Sequence, residues 1–136
     1  MDFKKPSIVL AEDHKPMRTR ISSLLERDYK VVAAVENGVL AVEAVITYQP
    51  DIALLDIAMP LMNGIQVGRK VRELKLPTKI IFLSAQISPA YLELARCLGA
   101  GYVLKNQLHS HLLIAIEKAL AGKTLSSMIP IAKRIS

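Results

Sequence analysis

Short and nearly continuous apolar runs recur along the chain and predict five β-strands. Each run holds four or five residues, and β-branched residues or leucine dominate it. Strands that are buried on both faces lack the usual alternation of polar and apolar positions, so these runs favour a parallel sheet. The predicted strands span Ser7–Ala11, Val31–Val35, Ile52–Asp56, Ile80–Ser84 and Gly101–Leu104.

Segments with a helical spacing of apolar residues separate and follow these strands. Gly99 and Gly122 come directly after the fourth and fifth segments, as glycine often does where a helix ends. In the last segment Leu113, Ile116 and Leu120 form the stripe that we expect to face the core. The predicted helices span Pro16–Arg27, Gly38–Tyr48, Gly64–Leu74, Pro89–Leu98 and Ser110–Ala121.

Strand and helix thus alternate five times, which predicts an α/β fold with a doubly wound parallel sheet and helices on both faces. Right-handed crossovers leave few topologies for such a sheet. Functional sites in these folds lie at the carboxyl ends of the strands, near the point where the strand order reverses. The 136 residues suit one domain.

Polar residues follow the strands at the points where the apolar runs stop. Glu12 and Asp13 follow the first strand, Asp56 ends the third, Ser84 ends the fourth and Lys105 follows the fifth. The carboxyl ends of parallel strands meet at one edge of the sheet. We therefore expect three carboxylates, one hydroxyl and one ammonium group to gather at that edge.

Three neighbouring carboxylates repel one another unless a cation joins them. Mg²⁺ suits such a cluster because it prefers oxygen ligands, and Mn²⁺ is the alternative. The backbone carbonyl of Ala58 is a further candidate ligand. Lys105 and Ser84 are suited to contact a phosphoryl group, and the Asp56 carboxylate is suited to attack phosphorus and form an acyl phosphate.

Composition narrows the classes of protein further. One cysteine excludes an internal disulfide and an all-cysteine metal site, and Cys97 itself is expected to be a small core residue. The apolar runs are too short to cross a bilayer, and the charged start has no secretory signal, so a reducing cytoplasm is the expected compartment. The net charge of +6 is interpreted as a basic surface without a specific ligand.

Four segments together resemble the receiver domain of bacterial two-component response regulators. They lie at the strand ends and span 10–14, 56–64, 84–85 and 101–105. The resemblance runs from Lys5 to Ala121 and looks closest to the NarL/FixJ subfamily. It implies the flavodoxin-like (CheY-like) strand order 2-1-3-4-5.

The resemblance also implies roles for single residues. Asp56 accepts a phosphoryl group from a sensor histidine kinase, and Glu12 and Asp13 bind Mg²⁺ together with Asp56. Ser84 and Lys105 contact the phosphoryl group. A further aromatic residue, Tyr102, is expected to be a switch that reports phosphorylation, with Ser84, to the surface of the fourth helix, fifth strand and fifth helix.

On this interpretation residues 1–121 form the receiver domain and residues 122–136 a C-terminal tail or linker stub. The output is a partner or a following DNA-binding domain, and a homodimer is possible for this class. The chain by itself is not expected to bind DNA specifically, to associate with a membrane or to turn over an external substrate.

Other interpretations of the same residues stay open. Asp56 is compatible with a helix cap or a surface salt bridge, and Glu12 and Asp13 with a cap of the first helix. A hydrolase of the haloacid dehalogenase type needs a second acid two residues after the nucleophile, where this chain has Ala58. A receiver-like interaction domain that works without phosphorylation is the remaining alternative.

Overall fold

The computed structural model describes residues 4–122, so the predicted tail of residues 122–136 lies outside this range except for its first residue. Strands and helices alternate as the sequence predicts, with boundaries shifted by at most two residues and a short 3₁₀ turn, Lys105–Gln107, before the last helix. The strands are β1 (Ser7–Ala11), β2 (Lys30–Val35), β3 (Ile52–Asp56), β4 (Lys79–Ser84) and β5 (Gly101–Leu104). The helices are α1 (Lys15–Leu25), α2 (Gly38–Tyr48), α3 (Gly64–Glu73), α4 (Pro89–Cys97) and α5 (Leu108–Leu120).

All five strands are parallel and lie in the order β2-β1-β3-β4-β5, so the predicted fold class and strand order are confirmed. β2 lies on one side of β1, whereas β3, β4 and β5 follow one another on its other side. The strand order therefore reverses next to β1 and β3. Their carboxyl ends flank the crevice where a site is expected.

Alternate residues of the central strands point into two separate cores. Val9 and Ala11 of β1 pack in the core that α2, α3 and α4 cover, whereas Ile8 and Leu10 pack in the core under α1 and α5. Because both faces are covered, β3 is buried at every position. This double burial explains why the strands are almost continuously apolar.

Helix α5 differs from the sequence prediction in its rotation about its own axis. The predicted stripe included Leu113 and Leu120, but Leu113 is half-buried and Leu120 is 39% exposed. The residues that face the core lie on an adjacent stripe, because the helix begins earlier, at Leu108, and packs on β4 and β5 with small residues. These residues are Leu108, Leu112, Ala115, Ile116 and Ala119.

Two predictions about single residues also need correction. Cys97 is exposed rather than buried, because it lies on the outer side of α4. The residue of α4 that faces the core is Ala95. The N-cap of α1 is His14 rather than Asp13, and its Nδ1 accepts a hydrogen bond from the Met17 N–H at 3.3 Å. Between residues 4 and 122, no helix is long and apolar enough to cross a membrane.

The glycine that starts α2 packs directly against the loop between β3 and α3. A Cβ atom on Gly38 would lie 1.9 Å from the Met62 carbonyl oxygen, which is far inside van der Waals contact. Gly99 instead follows α4 with a φ of +64° and has open space around it. The two glycines are thus required for different physical reasons, a close backbone approach and a left-handed conformation.

We expect Gly38→Ala to lower the free energy of unfolding by about 3 kcal/mol, because α2 must move away from Met62. Gly99→Ala should lower the free energy of unfolding by about 1 kcal/mol, because alanine adopts the left-handed conformation at a cost but meets no clash. Urea unfolding monitored by circular dichroism measures both variants. Equal losses would contradict the close approach of α2 to the loop.

Candidate phosphoryl-acceptor site

The carboxyl ends of β1 and β3 bring two acidic residues to the same level of the sheet. Ala11 pairs with Leu55, and the residues that follow them are Glu12 and Asp56. Glu12 extends the line of β1, since its N–H donates to the Val35 carbonyl of β2 at 3.0 Å. Both side chains are buried, with exposed fractions of 0% for Glu12 and 2% for Asp56.

Lys105 reaches these two carboxylates from the end of β5. Its Nζ lies 2.8 Å from Glu12 Oε1 and 3.1 Å from Asp56 Oδ2. Neither oxygen accepts a geometrically good hydrogen bond from residues 4–122, so the ammonium charge is what compensates them. One partly buried cation is thus shared by two buried anions, which leaves a negative charge in excess.

Backbone groups hold the other oxygen of each carboxylate. The Ala58 N–H donates to Asp56 Oδ1 at 3.1 Å, and the His14 N–H donates to Glu12 Oε2 at 3.2 Å. Arg18 also donates from its guanidinium to the Glu12 backbone carbonyl at 2.7 Å. The carboxylates are therefore fixed in orientation, with Oε1 and Oδ2 turned toward the ammonium group.

The electrostatic balance of the site is unfavourable for a charged Asp56. Burial and the adjacent Glu12 carboxylate raise the pKa of Asp56 to about 7, although the Lys105 ammonium acts in the opposite direction. Burial also lowers the pKa of Lys105, but the two carboxylates outweigh it and the pKa stands above its ordinary value. The site is thus short of positive charge.

Asp13 completes an acidic cluster at the rim of this site. One carboxylate oxygen each from Glu12, Asp13 and Asp56 can be chosen so that all three lie within 4.8 Å of one another. Asp13 is exposed, in contrast to the two buried acids. The three acidic residues that the sequence singled out are therefore neighbours, and Ala58 lies beside them through its bond to Asp56.

Ser84 and Tyr102 share one backbone acceptor on the neighbouring β4–α4 loop. The Ser84 hydroxyl donates to the Gln86 carbonyl at 2.8 Å, and the Tyr102 hydroxyl donates to the same oxygen at 3.2 Å. Tyr102 is buried, and burial raises the pKa of its phenol above the ordinary value. A rearrangement of Ser84 would therefore change the hydrogen bonding of Tyr102.

Two contributors to this region were not predicted from the sequence. The Gln86 carbonyl belongs to the backbone, and no side-chain pattern could reveal it. Arg18 lies four residues after His14 on α1, so the helical spacing gave a weak signal that it faces the Glu12 loop.

Comparison with known proteins identifies the family. Residues 8–117 match the family profile described as the response regulator receiver domain. The oxygen regulatory protein NreC of Staphylococcus aureus is 36% identical over 125 residues, which cover 89% of this chain and 58% of NreC. The chain therefore spans little more than half the length of this relative.

Solved structures agree in fold and in sequence. The receiver domain of the response regulator NarL from Mycobacterium tuberculosis is 33% identical, with a TM-score of 0.80, and the match covers 89% of this chain and all of that one. A LuxR-family response regulator from Aurantimonas sp. SI85-9A1 is 28% identical, with a TM-score of 0.85 and coverage of 98% and 100%. The chain belongs to the response regulator receiver family, and its relatives are of the NarL/FixJ type.

The raised pKa of Asp56 predicts a pH-dependent stability when a chelator keeps metals away. Between the unfolded pKa of about 4 and the folded pKa of about 7, the folded state keeps a proton that the unfolded state has lost. The free energy of unfolding therefore falls as pH rises through this window. We expect Asp56→Asn to remove this fall. Relative to wild type, the free energy of unfolding of the variant should therefore rise by up to about 3 kcal/mol between pH 5 and pH 7.

Urea unfolding at several pH values in EDTA measures this difference. Asp28→Asn, which alters an exposed carboxylate in the turn after α1, is the matched control and should follow the wild-type pH profile. Parallel profiles for wild type and Asp56→Asn would show that the Asp56 pKa is not raised.

Proposed function

We propose that this domain is a phosphorylation switch in which Asp56 accepts one phosphoryl group from a sensor histidine kinase. The contact of the Lys105 ammonium with Asp56 Oδ2 and Glu12 Oε1 carries this proposal. An ammonium group next to a fixed, buried carboxylate is poised to neutralise charge on an incoming phosphoryl oxygen. Transfer is stoichiometric, with one group per chain and no turnover of a further substrate.

The reaction moves one phosphoryl group between two side chains. An Asp56 carboxylate oxygen forms a bond to phosphorus while the bond between phosphorus and the donor imidazole nitrogen breaks. The imidazole keeps the electron pair of that bond and takes up a proton, and the product is an acyl phosphate on Asp56. The Ala58 N–H holds Oδ1 during this step, which leaves Oδ2 on the Lys105 side as the attacking oxygen.

Mg²⁺ is the proposed cofactor, with Glu12, Asp13, Asp56 and the Ala58 carbonyl as ligands, and Mn²⁺ offers similar oxygen chemistry. The excess negative charge and the buried oxygens without hydrogen-bond donors, within the described part of the chain, both support a cation here. When bound, the ion supplies positive charge that favours phosphoryl oxygens near the carboxylates.

The switch itself is proposed to use Ser84 and Tyr102. When the Ser84 hydroxyl turns to donate to the phosphoryl group, it leaves the Gln86 carbonyl to Tyr102. The balance between two conformations then shifts, and the surface of α4, β5 and α5 changes. Tyr102 joins β5 to the loop that precedes α4, which is why this surface is the proposed reporter.

The family supports a proposal for the longer protein in which the domain acts. Its relative NreC is longer, and another longer relative, from Pseudomonas aeruginosa, is described as a transcriptional regulator. We therefore propose that the switch acts within a transcription regulator, with the linker and output domain beginning after residue 121. The cytoplasm is the proposed compartment, and a homodimer through the switch surface is a proposed form of the signal.

We expect acetyl phosphate with Mg²⁺ to add the mass of one phosphoryl group to the wild-type domain, with acetate as the leaving group. Intact mass spectrometry at neutral pH measures the adduct. Asp56→Ala and an EDTA sample should give none, whereas Asp28→Asn should be labelled like wild type. A single adduct that survives in Asp56→Ala would assign the acceptor to another residue.

We expect Asp13→Asn to weaken Mg²⁺ binding by about tenfold or more, because losing a ligand should cost at least as much as losing its supporting contacts. Isothermal titration calorimetry measures the affinity. Asp13 is exposed, so the variant should keep the fold and the urea midpoint of the wild type. An unchanged affinity, with Asp28→Asn as control, would remove Asp13 from the ligand set.

A further inference from the structure

Leu61 combines two costly features within one residue of the loop between β3 and α3. Its φ is +69°, in the left-handed region that a branched side chain adopts at a conformational cost. The residue is 79% exposed, the largest value among the exposed large apolar residues that the structure describes. Packing within the domain thus does not offset the strain, and glycine would be the less costly residue here.

The loop that carries Leu61 is anchored to the acceptor residue at both ends. It begins directly after Asp56, and it ends at Gly64, where a Cβ atom would lie 2.4 Å from the Asp56 carbonyl oxygen. Gly64 also donates its N–H to the Ile57 carbonyl at 3.0 Å. Leu61 is three residues from Gly64, a span of at most about 11 Å, so its Cα stays within about 15 Å of the Asp56 carbonyl oxygen.

A protein that delivers a phosphoryl group must cover the mouth of the site, because Asp56 is only 2% exposed. A standard protein contact covers about 800 Å² on each partner, equivalent to a disc with a radius of about 16 Å. The backbone of Leu61, at most about 15 Å from the Asp56 carbonyl oxygen, is within that radius. Exposed apolar side chains at this position become favourable when a partner buries them.

We propose that Leu61 is a docking residue for a protein that carries phosphohistidine, and that small phosphodonors do not use it. The strain at Leu61 is compensated when its side chain is buried in an apolar recess of the donor protein. This inference rests on the proposed phosphorylation of Asp56 and adds the residue that distinguishes a protein donor from a small molecule.

The test compares two donors on the same variants. One donor is acetyl phosphate, and the other is the histidine-phosphorylated dimerisation domain of a sensor kinase, chosen because it phosphorylates the wild-type domain. Leu61→Gly and Leu61→Asn should slow transfer from the protein donor by about tenfold or more at subsaturating concentrations, the effect of one lost apolar anchor. Labelling by acetyl phosphate should stay within about twofold of wild type in the same variants, because a small donor makes no such contact.

Two further variants control for shape and strain. Leu61→Met keeps an apolar side chain and should keep fast transfer from the protein donor. Lys75→Gly relieves a similar left-handed residue, with φ of +56°, at the far end of α3 and should leave both reactions unchanged. Thermal unfolding should show that both glycine variants are at least as stable as wild type.

The remaining outcomes each overturn one statement. Equal slowing with both donors would mean that Leu61 shapes the acceptor site, and unchanged transfer from the protein donor would mean that it is no contact. Self-association lost in Leu61→Gly, with unchanged transfer, would assign the residue to a second copy of this chain. A wild-type domain that acetyl phosphate labels but no phosphohistidine protein does would overturn the docking role alone, whereas no labelling by either donor would overturn the proposed function itself.

Discussion

The contact of one ammonium group with two buried carboxylates at the end of the sheet is the constraint on which the site depends. Glu12 and Asp56 follow adjacent parallel strands, so the sheet forces them together, and Lys105 at the end of β5 supplies one positive charge. Burying two like charges is costly, and the raised pKa of Asp56 expresses that cost. A bound cation or a change in the charge of Asp56 therefore acts on a site that is already electrostatically unbalanced.

This imbalance is coupled to the fold through close backbone contacts. Gly64 lies against the Asp56 carbonyl, and Gly38 lies against the Met62 carbonyl, so the starts of α3 and α2 both touch the loop that follows Asp56. A Cβ atom at either position would displace a helix or the loop. These contacts hold both ends of the loop, in which Leu61 is exposed with a positive φ.

A second coupling leads away from the site toward β5. Ser84 and Tyr102 donate to the same Gln86 carbonyl, although they belong to different strands. Because one oxygen serves both hydroxyl groups, the position of Ser84 influences the hydrogen bonding of Tyr102. The geometry thus links the carboxyl end of β4 to β5 through one backbone oxygen of the loop that precedes α4.

The sequence by itself determined the strands, the parallel sheet and the residues at its carboxyl edge. Buried parallel strands are continuous apolar runs, so a polar residue at the end of such a run stands out, as Asp56 and Lys105 do. The same pattern could not give the rotation of α5, where Leu112 rather than Leu113 faces the core. It also missed the cap at His14 and the exposure of Cys97.

Only the tertiary structure decided which groups touch. Lys105 and Glu12 are far apart in the sequence, and their contact depends on the strand order and on how far each strand extends. The Gln86 carbonyl and the left-handed backbone at Leu61 carry no side-chain signal, because any residue has a carbonyl and φ is set by the anchored ends of the loop. Local patterns determine where strands and helices lie along the chain. The packing of these elements against one another determines which charged groups meet, at what distance, and where the backbone is strained.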